Sequence, residues 1–294
     1  MEFQRKKNIE NRRLIVGLCS AFFFIIVSCI PALADGGDDL LKAVRLGEIE
    51  QVRSLIEKKV DLSVRDNRDK TPLMVAAYNN KLQITKLLIE NGAKLEEIDE
   101  KGYHRTALLF AASRRHIDII KLLSEKGADL NAVDKLGSTA MMLAVKNVDI
   151  VSFLLDKGGN FKAKDVDGWT ALFYATSSGH FQSAELLIKA GAEINLIDSI
   201  GWTPLMHAVD SKEIEMVSFL LDKGADLNVH GKDGKTALLI AVSDGNLPLI
   251  KLLLEKGADI EARDNDDETA LDKAERKGHD DIIKLLKPQA NEKQ

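Results

Sequence analysis

The stretch from Asp165 to Asp198, DVDGWTALFYATSSGHFQSAELLIKAGAEINLID, holds one full copy of the pattern that decides the fold. Thr170 stands where its hydroxyl can accept the free N–H groups of a first helical turn, and residues 171–175 put small and apolar side chains on one face of that helix. After a Ser-Gly-His break, residues 181–190 predict a second helix, and Gly191 predicts its left-handed C-terminal cap. One copy is therefore a short helix pair followed by an extended segment.

The pattern repeats at a nearly constant spacing. The threonine recurs at Thr71, Thr106, Thr139, Thr170, Thr203, Thr236 and Thr269, and the cap glycine recurs in step at Gly92, Gly127, Gly158, Gly191, Gly224 and Gly257. The period is about 33 residues, which is a length typical of repeat proteins. A helix pair this short cannot bury its apolar face alone, so successive pairs must stack. The sequence therefore predicts a solenoid.

The composition favours helices over strands. Of the 294 residues, 45% are hydrophobic but only 5% are aromatic. Leu, Ala, Lys and Glu, which are frequent here, favour helices, whereas aromatic residues are typical of strands. We therefore expect an all-helical core.

The repeated residues resemble the ankyrin repeat. The resemblance is carried by Thr71–Leu73, Thr203–Leu205, Gly179–His180, Gly127–Asn131 and Gly224–Asn228, and it extends over residues 38–287. It implies an all-α ankyrin-repeat solenoid of about eight helix-turn-helix units, terminal caps included, joined by β-hairpin-like tips. We number the units 1 to 8 and place them at about 38–66, 67–99, 100–134, 135–165, 166–198, 199–230, 231–264 and 265–287. Residues 288–294 are predicted to be a disordered tail.

The chain departs from the usual ankyrin pattern at several positions. Ankyrin repeats usually have His three residues after the threonine, and here those positions hold Met74, Leu109, Met142, Phe173, Met206, Leu239 and Asp272. We expect apolar contacts to replace the polar network of that His. Unit 4 lacks two residues between Ala144 and Ile150, which predicts a shorter turn between its helices. In unit 8, Lys273 and Arg276 predict a charged outer face, as a terminal cap requires.

Residues 1–34 have the features of an export signal. Five basic residues precede an uncharged run from Leu14 to Ala34, and this run ends in Ala-Leu-Ala. We predict that residues 1–34 are a signal peptide cleaved between Ala34 and Asp35. Residues 35–37 would then be a short linker, and the mature protein would be periplasmic or secreted.

Two alternatives remain open for this segment. Residues 14–30 come close to the ~20 apolar residues that a membrane-spanning helix needs, so an uncleaved membrane anchor is the first. The second is a lipoprotein, because residues 26–29 resemble a bacterial lipoprotein box in which Cys29 would be acylated. Membrane association is expected only through this segment. Both cysteines, Cys19 and Cys29, precede the predicted cleavage point, so the mature chain would contain no disulfide.

Charge argues against a nucleic-acid partner. The chain carries a net charge of -5, of which residues 1–34 contribute +3, so the remainder carries -8. Binding to a phosphate backbone needs clustered Lys and Arg instead. We therefore predict that the partner is not nucleic acid.

The sequence also lacks the usual signs of catalysis and of cofactor or metal binding. It contains no glycine-rich phosphate loop, no Gly-x-Ser-x-Gly element and no His-Glu-x-x-His pair. His116, His180 and His279 occupy equivalent places in different units, so they cannot converge on one metal ion. The acidic stretch 264–268 is followed by Thr269 where a calcium loop needs Gly. We predict no enzymatic activity, no cofactor and no metal.

The hairpin tips are the predicted recognition surface. Residues one, three and four before each threonine project from the tips, and both tryptophans of the chain occupy the first of these positions. Trp is enriched at binding hot spots. The predicted partner-binding residues are Tyr103, Leu136, Val166, Trp169, Ile200 and Trp202 on the tips, with Ser177, Ser178, Asp210 and Ser211 on the adjoining concave surface. Alternatively, the two indoles stack on neighbouring tips and seal them against each other.

Together these features predict an exported, monomeric protein-interaction module that binds a protein partner through its tips and concave face. The alternative is a structural or protective envelope protein, anchored by a lipid on Cys29.

Overall fold

A computed structural model describes residues 35–292, and within that range the regular structure is helical and forms eight pairs. We call the first helix of each pair inner and the second outer. The inner helices are α1 (Asp35–Leu46), α3 (Pro72–Tyr78), α5 (Ala107–Arg114), α7 (Ala140–Leu143), α9 (Ala171–Ser177), α11 (Pro204–Asp210), α13 (Ala237–Ser243) and α15 (Ala270–Lys277). The outer helices are α2 (Ile49–Glu57), α4 (Leu82–Glu90), α6 (Ile117–Glu125), α8 (Val148–Asp156), α10 (Phe181–Lys189), α12 (Ile214–Asp222), α14 (Leu247–Glu255) and α16 (Asp280–Glu292).

The pairs stack in chain order, which confirms the predicted solenoid. Each inner helix packs on the inner helices of the neighbouring units. Contacts between outer helices join α2 to α4, α4 to α6, α8 to α10 and α12 to α14. The buried apolar side chains join into one core that runs from Leu40 to Leu286. No pair closes its own core, so the stability of each unit depends on its neighbours.

The repeated threonines cap the N-terminal ends of the inner helices and the repeated glycines follow the C-terminal ends of the outer helices, largely as predicted. Six of the seven repeated threonines accept the backbone N–H three residues further on, at 3.2–3.4 Å. Thr170 is the exception: it occupies the N-cap position, but its hydroxyl makes no capping bond. The predicted cap glycines all adopt the left-handed conformation, with φ of 79–94°, which residues with a Cβ rarely adopt.

The position where ankyrin repeats usually have His is not purely apolar. The sulfur atoms of Met74 and Met206 accept the backbone N–H of the threonine three residues earlier, at 3.4 Å. In unit 8 the carboxylate of Asp272 accepts the equivalent N–H, at 2.9 Å. Met74 and Met206 lie in the apolar core, as expected, and they also complete the cap of their own helix. The expectation of an apolar contact is wrong at Asp272, where a carboxylate completes the cap.

The two missing residues of unit 4 shorten its inner helix. Helix α7 has four residues, whereas α9 has seven. The predicted shorter turn is therefore wrong, because residues 144–147 connect the helices of unit 4 and the shorter stretch 178–180 connects those of unit 5. Behind the short helix, the carbonyl of Val145 is buried and accepts a hydrogen bond from the hydroxyl of Ser183 in the next unit, at 2.6 Å. This bond satisfies a polar group that a full-length inner helix would have paired internally.

Both ends of the array extend beyond the predicted boundaries. Residues 35–37 belong to helix α1 and are not a linker. Gly36 and Gly37 allow this, because a Cβ on either residue would lie 2.9 Å from a methyl group of Val60 or Val64. At the other end, α16 continues to Glu292. The predicted disordered tail at 288–294 is therefore wrong for residues 288–292.

Lys273 in the last unit is buried, and the prediction that it lies on a charged outer face is wrong. Its side chain is 3% exposed and forms ion pairs with Asp264 and Glu268, and Arg276 binds Glu268 as well. Hydrogen bonds from Arg276 and Lys273 lower the pKa of Glu268 to about 2. Burial alone would raise the pKa of Asp264, but the bonds from Lys273 and the tip backbone hold it below its ordinary value.

Replacing Lys273 should therefore lower the free energy of unfolding by an amount that depends on pH. Lys273→Met leaves two carboxylates without their shared cation, and we expect it to lower the free energy of unfolding at pH 7 by about 3 kcal/mol. Lys273 lowers the pKa of Glu268, beside the larger effect of Arg276, and against the effect of burial it also lowers the pKa of Asp264. Its contribution is therefore complete above the ordinary carboxyl values of 4.5 and 3.8 and is lost as the pH falls below them.

Urea unfolding at pH 7 and at about pH 3 measures this effect. The difference between wild type and Lys273→Met should shrink at the lower pH. Lys284→Met, which removes an exposed lysine of the same unit, is the control and should have little effect at either pH. An equal cost of Lys273→Met at both pH values would contradict this account.

Candidate recognition surface

A buried or half-buried aspartate organises five of the hairpin tips. It lies five residues before the threonine, and one of its carboxylate oxygens accepts two backbone N–H groups of the same tip, at 2.9–3.1 Å. These residues are Asp66, Asp134, Asp165, Asp198 and Asp264. Each tip is thus held by charge-assisted hydrogen bonds, which are stronger than neutral ones. The tips are consequently well-ordered platforms and not loose loops.

Backbone hydrogen bonds also join consecutive tips from unit 3 onward. The bonds run from N–H to carbonyl between Lys135 and Tyr103 (2.7 Å), Val166 and Leu136 (2.9 Å), Ser199 and Asp167 (2.9 Å), and Lys232 and Ile200 (3.0 Å). Glycines allow this close approach: at Gly137, Gly168 and Gly201, φ is 79–82°, and a Cβ would lie only 2.8–3.0 Å from the backbone of the next tip. The spacing between tips is therefore fixed.

Four of the predicted recognition residues form a row of exposed apolar side chains. The exposed fractions are 55% for Tyr103, 46% for Leu136, 64% for Val166 and 50% for Ile200. They lie on four consecutive tips, which the backbone bonds hold together. Val133 and Ile197 are also exposed on these tips, although the sequence pattern did not single them out. We call Tyr103, Leu136, Val166 and Ile200 the apolar tip row.

The two tryptophans are not on this exposed row. Trp169 is half-buried, and its indole N–H donates to the carboxylate of Asp198 in the next tip, at 3.1 Å. Its ring centroid lies 5.8 Å from that of Phe173 and 4.5 Å from that of His207. The expectation that both tryptophans occupy an exposed slot is wrong, because both pack toward the next unit. Trp169 follows the alternative, in which the indoles seal neighbouring tips.

Trp202 packs beside a position, in the following unit, where the tip aspartate is absent. Gly231 replaces the tip aspartate in the following unit, and a Cβ there would lie 2.8 Å from the Trp202 ring. Burial would raise the pKa of the nearby Asp233, but hydrogen bonds from Lys235 and from the Trp202 indole hold it below its ordinary value. Trp202 thus packs over the place that the aspartate occupies in the other tips, while Asp233 accepts the backbone N–H of Lys235 at 3.2 Å.

His207 connects the two tryptophans with Asp198, a role that the sequence pattern did not predict. It lies between the two indoles, with ring centroids 4.5 Å from Trp169 and 5.2 Å from Trp202. Its Nε2 lies 2.7 Å from a carboxylate oxygen of Asp198. The sequence carried a signal for this pair, since a polar residue four after the threonine occurs with an aspartate five before it in three units.

The other two members of that pattern are Tyr174 with Asp165 and Lys273 with Asp264. The Tyr174 hydroxyl donates to Asp165 at 2.7 Å. Burial and this bond raise the pKa of Tyr174 above its ordinary value. Each pair ties the inner helix of a unit to the base of its own tip.

The predicted concave residues lie at the C-terminal ends of the inner helices, whereas the tips precede the N-terminal ends. Ser178, Asp210 and Ser211 are exposed, and Ser177 is half-buried. Ser178 and Ser211 directly follow helices α9 and α11, and Asp210 is the last residue of α11. These groups are available to a partner, although nothing in their geometry distinguishes them from other surface residues.

One group of carboxylates has the spacing of metal ligands. Oxygen atoms of Asp264, Asp266 and Glu268 lie within 4.8 Å of one another. However, the ammonium group of Lys273 already pairs with Asp264 and Glu268. The negative charge is therefore balanced by side chains of the protein.

The predictions for the N-terminal segment lie outside the described residues: the signal peptide at 1–34, the cleavage point after Ala34 and acylation at Cys29. Asp35 itself begins helix α1. Among the helices that the structure describes, none combines the length and the apolar character that a membrane span requires.

Comparison with known proteins agrees with the architecture. A family model described as "Ankyrin repeats (3 copies)" matches residues 40–134, 130–198, 164–230 and 226–294. No curated protein matches the chain.

The contacts of Asp198 predict a large effect of its removal. Asp198→Ala takes away the acceptor of two tip N–H groups, of the Trp169 indole and of His207. We expect the free energy of unfolding to fall by about 2–4 kcal/mol, since buried donors are left unpaired. Tryptophan emission should shift to longer wavelength, because both tryptophans of the chain flank this residue.

Asp167→Ala is the matched control, since it removes an exposed carboxylate from the neighbouring tip. Urea unfolding followed by tryptophan fluorescence measures both variants. Equal midpoints for the two variants would show that the Asp198 contacts do not stabilise the tips.

Proposed function

We propose, from the premise that the chain belongs to the ankyrin-repeat family, that it is an exported module that binds a protein partner through the tips of units 3 to 6 and the adjoining concave surface. Ankyrin repeats are generally protein–protein interaction modules and are typically not enzymes. A solenoid presents an extended surface along its length, and residues on that surface are free to specify a partner. Which partner is bound depends on the chemistry of the surface and not on the fold.

The apolar tip row carries this proposal. Its four large side chains are 46–64% exposed on consecutive tips. Contiguous exposed apolar side chains are typical of contact surfaces. The fixed spacing of the tips also lowers the entropic cost of binding, because little has to become ordered. These properties support a preformed surface for a protein partner.

The two tryptophans hold neighbouring tips of this surface in position. Trp169 bonds to Asp198, and Trp202 packs over Gly231, so each indole fixes the position of the next tip. We assign them a positioning role in recognition. Direct contact with the partner is assigned to the exposed apolar side chains.

Export is proposed from the sequence of residues 1–34. A basic segment, an apolar run and an Ala-Leu-Ala site precede Asp35, which is the order expected of a secretory signal. The mature protein would then begin at the first residue of helix α1. The partner is accordingly sought in the periplasm or outside the cell.

A capture experiment tests the proposed surface. The full-length chain with a C-terminal tag is expressed in its own organism, and bound proteins are identified by mass spectrometry. Val166→Asp/Ile200→Asp places two charges in the apolar tip row, and we expect it to reduce capture of the partner at least about tenfold. Leu46→Asp is the control, because Leu46 is 57% exposed but lies in unit 1.

The same partner should be captured by wild type and Leu46→Asp and lost with the double variant. Undiminished capture of that partner by the double variant would contradict the proposed surface. The mass of the recovered chain tests export at the same time. An N-terminus at Asp35 supports it, whereas a chain that retains Met1, or one acylated at Cys29, contradicts cleavage after Ala34.

A further inference from the structure

The concave side of the first units contains a strongly basic pocket. A cavity of about 400 Å³ lies between the first full tip and helix α3. Its volume falls in the range of ligand-binding clefts. The charged residues that line it are Arg45, Asp66, Arg68 and Lys70, and Tyr78 forms part of its wall. We call this cavity the basic pocket.

Lys70 is held in the pocket without an anionic partner. Its ammonium nitrogen lies 4.1 Å from the ring centroid of Tyr78 and 4.4 Å from that of Phe110. Among the described residues, no carboxylate oxygen lies within 4.0 Å of this nitrogen, and it donates no hydrogen bond to them. Burial lowers the pKa of Lys70, although Asp66 opposes this. The three N–H donors of this ammonium therefore lack an acceptor within the described chain.

Arg114 continues the positive charge into unit 3. Its guanidinium carbon lies 4.6 Å from the centroid of the Tyr78 ring, so it borders the pocket. Neither Arg114 nor Arg68 has a carboxylate within 4.0 Å in the part of the chain that the structure describes. Both side chains are exposed and free to approach a ligand.

Asp66 does not neutralise the pocket. One of its oxygens accepts the N–H groups of Arg68 and Lys70, and the other pairs with Arg45 at 3.2 Å. Its bonding capacity is thus used within the protein. The cavity is lined by three cationic side chains and this one carboxylate, Arg114 lies beside it, and Asp99 outside the lining also acts on Lys70.

Units 5 to 7 have no Lys or Arg at the C-terminal ends of their inner helices, whereas unit 8 has Arg276 and Lys277 there. The last two residues before the helix-to-helix break are Ser177 and Ser178 in unit 5, Asp210 and Ser211 in unit 6, and Ser243 and Asp244 in unit 7. The equivalent place in unit 3 holds Ser113 and Arg114. The positive pocket therefore stands out from a chain whose net charge is -5.

We infer that the basic pocket binds an acidic segment of a protein partner, in which successive Asp or Glu side chains meet Lys70, Arg114 and Arg68. Arg68 and Lys70 belong to unit 2 and Arg114 to unit 3, so the cations span two neighbouring units, which suits an extended segment with several carboxylates. Carboxylate oxygens supply the acceptors that Lys70 lacks. The acidic remainder of the chain repels a nucleic-acid backbone. This inference rests on the proposed function for the existence of a protein partner.

Fluorescence anisotropy with defined probes tests the inference. The full-length protein is titrated into a fluorescein-labelled oligoglutamate peptide, a neutral oligoglutamine peptide of the same length and a short oligothymidylate. We expect oligoglutamate to bind, with affinity that falls as salt is added, and oligoglutamine to bind at least about tenfold more weakly, since it offers no charge to the pocket.

Lys70→Met/Arg114→Gln removes two charges while keeping most of each side-chain stem on Tyr78. It should weaken oligoglutamate binding about tenfold or more. The control Arg53→Gln/Lys86→Met removes the same charge from the outer helices of units 1 and 2 and should stay within about twofold of wild type. Circular dichroism and urea midpoints establish that both variants are folded.

Three results would overturn the inference: no binding of oligoglutamate to wild type, equal loss of affinity in the pocket variant and the control, or tighter binding of oligothymidylate than of oligoglutamate. The variant Val166→Asp/Ile200→Asp separates this inference from the proposed function. It should still bind oligoglutamate, because its substitutions lie in units 5 and 6. Undiminished capture of the partner by this variant, with oligoglutamate binding as expected, counts against the tip row alone.

Discussion

No helix pair in this chain can bury its apolar face by itself, and the rest of the structure depends on that constraint. Each unit must present one apolar side to the unit before it and another to the unit after it, so the core runs without a break from Leu40 to Leu286. The same constraint brings the hairpin tips close together. Their polar backbone must then be satisfied locally, and the tip aspartates and the tip-to-tip hydrogen bonds do this.

The sequence was sufficient to predict the solenoid, because the period, the threonine caps and the glycine caps are local signals that recur in successive units. It failed where the deciding contact comes from a tip, either the next one along the stack or the residue's own. Trp169 looked exposed by its position in the tip, yet its indole reaches Asp198 on the next tip. Lys273 looked like a surface charge, yet two carboxylates compensate its burial. The exposed apolar residues of the tips were predicted correctly as exposed, since their own position decides this.

Two surfaces of different chemistry result from this architecture. The apolar tip row lies on units 3 to 6, and the basic pocket lies on the concave side of units 1 to 3. Both are built on positions that the stacking leaves free, while the core positions repeat nearly unchanged. Apolar contact would supply most of the affinity of a partner, and charge would select its acidic segment and speed its association. The rigid tips hold these groups in place before binding.

The central claim is that the tips form one ordered surface, held by their mutual backbone bonds. Native-state hydrogen exchange measures this directly. The account predicts that the backbone N–H groups of Lys135, Val166, Ser199 and Lys232, which donate to the preceding tip, exchange as slowly as those of the neighbouring inner helices. Exchange of these four groups at the rate of an unstructured peptide, beside protected helices, would contradict it.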